Sequence, residues 1–209
     1  LNIISKENLM KKITFPFVNT IISNSKAGIE IFKAPQSKSR IIHNGVDLNR
    51  NYSYMWAYDN EGSSSDGCNE TYRGNTPFSE PETQIVRDFV EEHNFPIALN
   101  YHSYGNLFIY PLGYEYENQV PEADLEIFIE LGEDMTQFNN YALGAGPDLL
   151  YTVNGEACDW MYGEQGIFAY TPEIGTNQDG FWPQTSRIVP LAEENLYPNQ
   201  FLALVAGSK

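Results

Sequence analysis

The tightest constraint on this chain is the apolar run Phe95-Pro96-Ile97-Ala98-Leu99, which leads directly into Asn100-Tyr101-His102-Ser103-Tyr104-Gly105. Such a run reads as a buried strand, and the glycine-terminated polar segment after it reads as a turn, so His102 falls where a sheet hands over to a loop. Open α/β sheets place ligands at the carboxyl ends of their strands, and a neutral imidazole there is a good zinc ligand. A second stretch has the same design. Phe168-Ala169-Tyr170-Thr171-Pro172-Glu173-Ile174-Gly175 reads as a buried strand with a carboxylate at its end. Burying Glu173 is costly without a partner, and a metal-bound water is a suitable one.

The remaining pattern is of mixed type. Strands are expected over 15–22, 40–42 and 107–111, and a short helix over 26–33 with Ile29 and Phe32 inward. Ser79 and Glu82 have capping-box spacing before Ile85, Val86, Phe89 and Val90, which repeat at helical intervals. An acidic amphipathic helix is expected over 121–140, with Leu125, Phe128, Ile129, Leu131 and Met135 inward. A last helix is expected over 186–206, interrupted by Pro190 and Pro198. These elements specify an α/β fold, a mixed β-sheet flanked by helices.

Charge narrows the partners. Twelve Lys and Arg against 28 Asp and Glu give a net charge of −16, which argues against nucleic acid and against an anionic membrane. No apolar run is long enough to span a bilayer, and the start lacks the basic-then-apolar form of a signal peptide. Cys68 and Cys158 are too few for a disulfide framework, and their spacing leaves open whether they pair.

Two resemblances follow from strings of residues. Ile21-Ile22-Ser23-Asn24-Ser25-Lys26-Ala27-Gly28 with Lys38-Ser39-Arg40-Ile41-Ile42-His43-Asn44-Gly45-Val46-Asp47 resembles the start of the second Rossmann-like domain of GT-B glycosyltransferases. From Gly45-Val46-Asp47-Leu48-Asn49-Arg50-Asn51-Tyr52, with Trp56 just after, the chain resembles the zinc metallocarboxypeptidases of the carboxypeptidase A type, and Thr71 to Thr83 is similar to bacterial members of that family. The expected division is a glycosyltransferase-like fragment, 1–44, joined to the C-terminal part of a carboxypeptidase catalytic domain, 45–209, with the carboxypeptidase-like fold incomplete on its N-terminal side.

An exopeptidase that removes a C-terminal residue must recognise a free carboxylate. A guanidinium does this with two parallel charge-assisted hydrogen bonds, and a neighbouring amide adds a donor. The resemblance implies that Arg50 and Asn49 bind substrate in this way and that Tyr151 is a mobile tyrosine closing over it. It further implies that His102, in His102-Ser103-Tyr104, is a zinc ligand and that Glu173 is the general base, accepting a proton from the zinc-bound water and passing it to the leaving amine. Cys158 falls near the floor of the family's side-chain pocket, where it would suit neutral residues, while Glu156 nearby would attract a basic one. Both options stand at this stage. Implied partners are peptide or protein C-termini, and relatives are mostly exported.

The chain also departs from the pattern. The family takes two zinc ligands from a His-x-x-Glu pair upstream of the Asn-Arg pair, but His43, His93 and His102 are the only histidines and none has Glu three residues later. No arginine precedes Arg40, so the family's oxyanion arginine has no counterpart either. A catalytic zinc needs three protein ligands. Zinc is therefore expected to be weak or absent in this chain and hydrolysis impaired. The alternatives are a non-catalytic module binding peptide C-termini and a glycosyltransferase fragment.

Overall fold

The computed structural model describes residues 21–23, 39–41, 45–117 and 120–207. Strands β1 (Ile21–Ser23) and β2 (Ser39–Ile41) pair in parallel, Ile21 opposite Ser39. The helix expected over 26–33 lies outside the described residues, as does most of the segment 1–44.

The main sheet has four strands: β3 (Ile97–Leu99), β4 (Leu107–Tyr110), β5 (Ala142–Ala145) and β6 (Phe168–Glu173), in the order β3-β6-β4-β5. β6 runs parallel to β3 and antiparallel to β4, and β4 is parallel to β5, so the sheet is mixed, as the sequence led us to expect. β6 is an inner strand, and its residues from Ala169 to Glu173 are all buried. An inner strand covered on both faces needs a continuous apolar run rather than alternation, which explains its composition.

Six helices complete the described chain: α1 (Pro81–Glu92), α2 (Glu122–Thr136), α3 (Gly146–Leu149), α4 (Ala157–Gly163), α5 (Thr185–Glu194) and α6 (Leu196–Gly207). None is long and apolar enough to cross a membrane. The largest core cluster is centred on Phe128 of α2, which is fully buried. Its ring lies 4.9–6.0 Å from those of Phe168, Tyr162, Tyr170 and Tyr110, and Tyr170 Oη donates to the Phe128 carbonyl at 2.9 Å. A second cluster packs Trp160 of α4 against Tyr52, tilted at 5.4 Å, and Phe78, edge-on at 5.5 Å.

Several local expectations give way to packing. The capping box does not form: α1 starts with Pro81 in its first turn, and Ser79 Oγ instead donates to Glu80 and accepts from Asn51. Of the periodic residues on α1, Val90 is buried but Ile85 and Phe89 are 68% and 54% exposed. On α2, Phe128 and Met135 are inward, while Ile129 is 38% exposed because its position lies off the face that meets the sheet. The terminal helix breaks at neither proline but at the buried Asn195, whose amide donates to Tyr141 Oη and the Leu191 carbonyl. Pro198 sits in the first turn of α6, where no helical N–H partner is lost.

Candidate functional site

His102 and Glu173 are placed by backbone ladder bonds. Beyond the end of β3 the chain stays paired with β6: Asn100 N–H donates to the Tyr170 carbonyl at 2.8 Å, His102 N–H to Pro172 at 2.9 Å, and Ile174 N–H to His102 at 2.9 Å. His102 and Glu173 therefore form a parallel bridge pair. The Ser103–Tyr104 peptide bond that follows is cis. Parallel neighbours of matched register point their side chains to the same face, so an imidazole and a carboxylate emerge together.

Asn49 and Arg50 come from a single 3₁₀ turn, Leu48–Arg50, capped by Asp47, whose carboxylate accepts from Asn49 N–H at 3.0 Å. The next residue holds this turn in place. Asn51 is fully buried: its Nδ2 lies 2.9–3.0 Å from the Arg73 and Thr76 carbonyls and Ser79 Oγ, and its Oδ1 accepts from Thr83 Oγ1 at 2.8 Å. On the other side, Ala157 N–H donates to Asn49 Oδ1 at 3.0 Å and Tyr52 N–H to the Gly155 carbonyl at 2.9 Å. At this crossing Gly155 has φ +69°, and a Cβ on it would lie 2.8 Å from the Arg50 carbonyl oxygen and 2.9 Å from that of Tyr52. Only glycine permits both the left-handed conformation and the approach.

All five residues singled out from sequence, Asn49, Arg50, His102, Tyr151 and Glu173, line one cavity of about 580 Å³. Its walls include Leu107, Ile109, Leu149 and Val153, and Phe181 stands at the edge with its ring 5.0 Å from that of Tyr104. Tyr151 is 55% exposed, as a residue at a cavity mouth should be. Glu156 also lines the space, whereas Cys158 is buried at 2% exposure and does not.

Arg50 is 7% exposed and only partly used by the protein. Its Nη1 donates to the Asn49 carbonyl at 2.9 Å and is 3.8 Å from Asp47 Oδ2, while its buried Nε has no partner among the described residues. A buried guanidinium with unused donors is costly unless a ligand completes it. Burial, then the Arg50 charge, lower the His102 pKa against a smaller opposing effect of Asp47, so its ring is neutral at neutral pH. Asn100 Nδ2 lies 3.2 Å from Nε2 of that ring and donates to it in the neutral tautomer protonated at Nδ1. Burial, then the charge of Glu156, raise Glu173 to about 7 against the pull of Arg50, which suits a group that both takes and gives a proton near neutrality.

The donor set for a metal is short. Among the described residues no group of three or more His, Cys, Asp and Glu side chains is arranged to hold a cation. His93 lies elsewhere, its Nδ1 2.8 Å from the Phe89 carbonyl and its ring stacked on Phe95, and His43 is outside the described residues. Zinc needs three protein donors of the right type, and His102 supplies one.

Comparison with known proteins gives a consistent picture. A family model described as zinc carboxypeptidase matches residues 26–198, a span that begins inside the segment 1–44. Carboxypeptidase B of Astacus astacus is 34% identical over 157 residues, covering 72% of this chain and 51% of that protein. Carboxypeptidase A1 of Mus musculus is 36% identical over 158 residues, 72% of this chain and 36% of that protein. Among solved structures, bovine thrombin-activatable fibrinolysis inhibitor in complex with tick carboxypeptidase inhibitor superposes with a TM-score of 0.71 at 28% identity, over 82% of this chain and 63% of that one. Carboxypeptidase A from Helicoverpa armigera gives a TM-score of 0.66 at 28% identity, over 79% of this chain and 42% of that one. The chain thus spans about half or less of the length of these two curated relatives.

Proposed function

The chain belongs to the zinc carboxypeptidase family, as a segment of the carboxypeptidase A type, and from that premise we propose that it is a metallocarboxypeptidase domain acting on the free C-termini of peptides. The observation that carries the reading is the Arg50 guanidinium, buried in a cavity with an unpartnered Nε, beside the paired His102 and Glu173. In this reading Arg50 grips the terminal carboxylate with two parallel hydrogen bonds and Asn49 adds an amide donor. Tyr151 covers the bound end from the mouth. Glu173 moves the proton that hydrolysis transfers to the leaving amine, a role its raised pKa supports. In this reading residues 1–44 resemble a glycosyltransferase segment in sequence and precede the carboxypeptidase segment, 45–209, although the family match already begins at residue 26.

The residues present do not fit a complete zinc site, since His102 is one ligand and the sequence holds no His-x-x-Glu, and hydrolysis by this chain alone is impaired. The same donor count favours a second reading, a module that binds peptide C-termini without cleaving them. Zinc titration and a C-terminal release assay on the purified 209-residue chain separate these, and peptide binding tests the anchor that both share. Calorimetric titration with zinc is expected to show weak or no binding, and peptides with a free C-terminus are expected to bind where their amides do not. Release of C-terminal amino acids that is abolished by chelator and by Glu173→Gln would overturn the impairment. Equal binding of acid and amide would overturn the anchor role of Arg50. Nucleotide-sugar binding is expected to be absent, and its detection would restore the glycosyltransferase alternative.

A further inference from the structure

Asn177 and Phe181 reach the cavity from one loop, residues 175–184, which runs from the end of β6 to the start of α5. This loop has little apolar packing to hold it. Phe181 is 68% exposed, its ring meeting that of Tyr104 edge-on, and Trp182 is 93% exposed. Its shape rests instead on polar bonds that converge on Asp179. The Asp179 carboxylate accepts from Thr176 N–H and Thr176 Oγ1, both at 2.9 Å, while Asp179 N–H and Gly180 N–H donate to the Thr176 carbonyl at 2.9 and 3.1 Å. These bonds only close the loop on itself. Arg187, in the first turn of α5, ties it to the rest of the molecule: Nε donates to Asp179 Oδ1 at 2.7 Å and Nη2 to Oδ2 at 3.1 Å, the two-pronged grip of a guanidinium on a carboxylate. Arg187 Nη2 is also 3.7 Å from Glu194 Oε1, and the other oxygen of Glu194 accepts from Tyr141 Oη at 3.4 Å. That hydroxyl in turn bonds the Gly175 backbone, so the loop is held at its root by Tyr141 and at its bend by Arg187.

We propose that Arg187 is a positioning residue: by gripping Asp179 it sets the 175–184 loop as a wall for the part of a bound peptide that precedes its last residue. This rests on Arg50 being the carboxylate anchor. Arg187 does not itself line the cavity, so any effect it has on a ligand passes through Asp179 and the loop. A peptide whose end is held at the buried Arg50 must leave by the mouth, where Phe181 and Tyr151 stand exposed. A ligand of one residue stops short of that wall, and a longer one runs along it. Asn177 offers such a chain an amide that both donates and accepts, and Phe181 offers it a ring. Without the grip the loop must be ordered when the peptide arrives, which weakens every ligand that touches it and spares those that do not. The Asp179 carboxyl is held well below the usual carboxylate range by Arg187 and then by Thr176 N–H, so the pair stays ionised in mild acid. Lysine is no equivalent, since a point charge cannot make both bonds at once.

The test compares acetyl-leucine with acetyl-Ala-Ala-Ala-Leu, both as free acids, and the tetrapeptide as its amide, in the unmodified chain and in Arg187→Gln and Arg187→Lys. Arg187 is 36% exposed, and the loss of a part-exposed ion pair leads us to expect Arg187→Gln to weaken the tetrapeptide about fivefold and acetyl-leucine less than about twofold. Arg187→Lys should fall between the unmodified chain and Arg187→Gln. Amide hydrogen exchange supplies a readout that needs no ligand: Thr176, Asp179 and Gly180 should exchange faster in Arg187→Gln, while the ladder between β4 and β6 keeps its protection. Equal weakening of the short and long acids, an unweakened tetrapeptide, or unchanged exchange at those three amides overturns the proposal. A variant that loses protection throughout the sheet is misfolded, and the decision then falls to Arg187→Lys by the same measurements. If tetrapeptide acid and amide bind alike while Arg187→Gln still weakens only the longer ligand, the anchor reading falls and the positioning role stands. If acids bind in preference to the amide but the variants treat both lengths alike, the anchor reading stands and the positioning role falls. Failure of every ligand to bind overturns both.

Discussion

Gly155→Ala tests whether the crossing of two backbones builds the site. Gly155 and Gly166 share the same φ of +69°, but a Cβ at Gly155 meets the carbonyl oxygens of Arg50 and Tyr52 at 2.8 and 2.9 Å, whereas at Gly166 nothing lies within 4 Å. Gly166→Ala therefore carries the left-handed strain alone, about 1–2 kcal/mol. Gly155→Ala carries that strain and must also push apart the backbone segments joined by the 2.9 Å bond from Tyr52 N–H to the Gly155 carbonyl. Its total is about 3 kcal/mol, at the upper end for a single substitution with a named cause. For a domain of this size the two variants should lower Tm by about 2–8 °C and about 6–12 °C respectively, read by circular dichroism or calorimetry. Because the displaced segment carries Arg50, only Gly155→Ala should also weaken binding of a peptide with a free C-terminus at 25 °C. Equal Tm losses in the two variants, or a Gly155→Ala chain that binds such peptides normally, would refute the reasoning.

Two further outcomes follow from the core and from the carboxylates. Phe128→Ala removes a fully buried ring packed against four others and should cost about 3–5 kcal/mol in urea unfolding; a loss under about 1 kcal/mol would mean that the cluster does not hold the sheet to α2. Glu173 binds its proton more tightly folded, at about 7, than unfolded, near 4.5, so its contribution to stability is whole below the unfolded value and is lost as pH rises through 7. Burial raises Glu156 and Asp159 in the same direction, so Glu173→Gln should reduce the fall in Tm between pH 4.5 and 8 without abolishing it, and an unchanged slope would count against a strained Glu173.

What could be read in the residues alone was governed by range. His102 and Glu173 each end an apolar run, and strand ends are local signals, so their place at the strand ends was legible and the mixed sheet with it. That they are register partners is a long-range fact, carried by three backbone bonds across some 70 positions of sequence. Asn51 was missed because a buried asparagine hub has no local pattern that separates it from a loop asparagine; its partners at Arg73, Thr76, Ser79 and Thr83 are visible only once the chain is folded. Which of Glu156 and Cys158 lines the cavity depended on the direction of each side chain at the start of α4, which a two-residue separation does not give. The capping box failed for a related reason, since Ser79 had a tertiary partner to satisfy.

The bridge between His102 and Glu173 carries one more consequence. Their spacing is set by main-chain pairing, which every residue except proline supplies alike, while Arg50, Tyr151 and Glu156 ride on turns and loop edges. The molecule therefore separates a frame of fixed geometry from an interchangeable rim. Grafting new rim segments onto the same two strand ends should alter the shape and charge of the cavity wall while leaving His102 and Glu173 where they were, and this makes the sheet edge a natural platform for redesign.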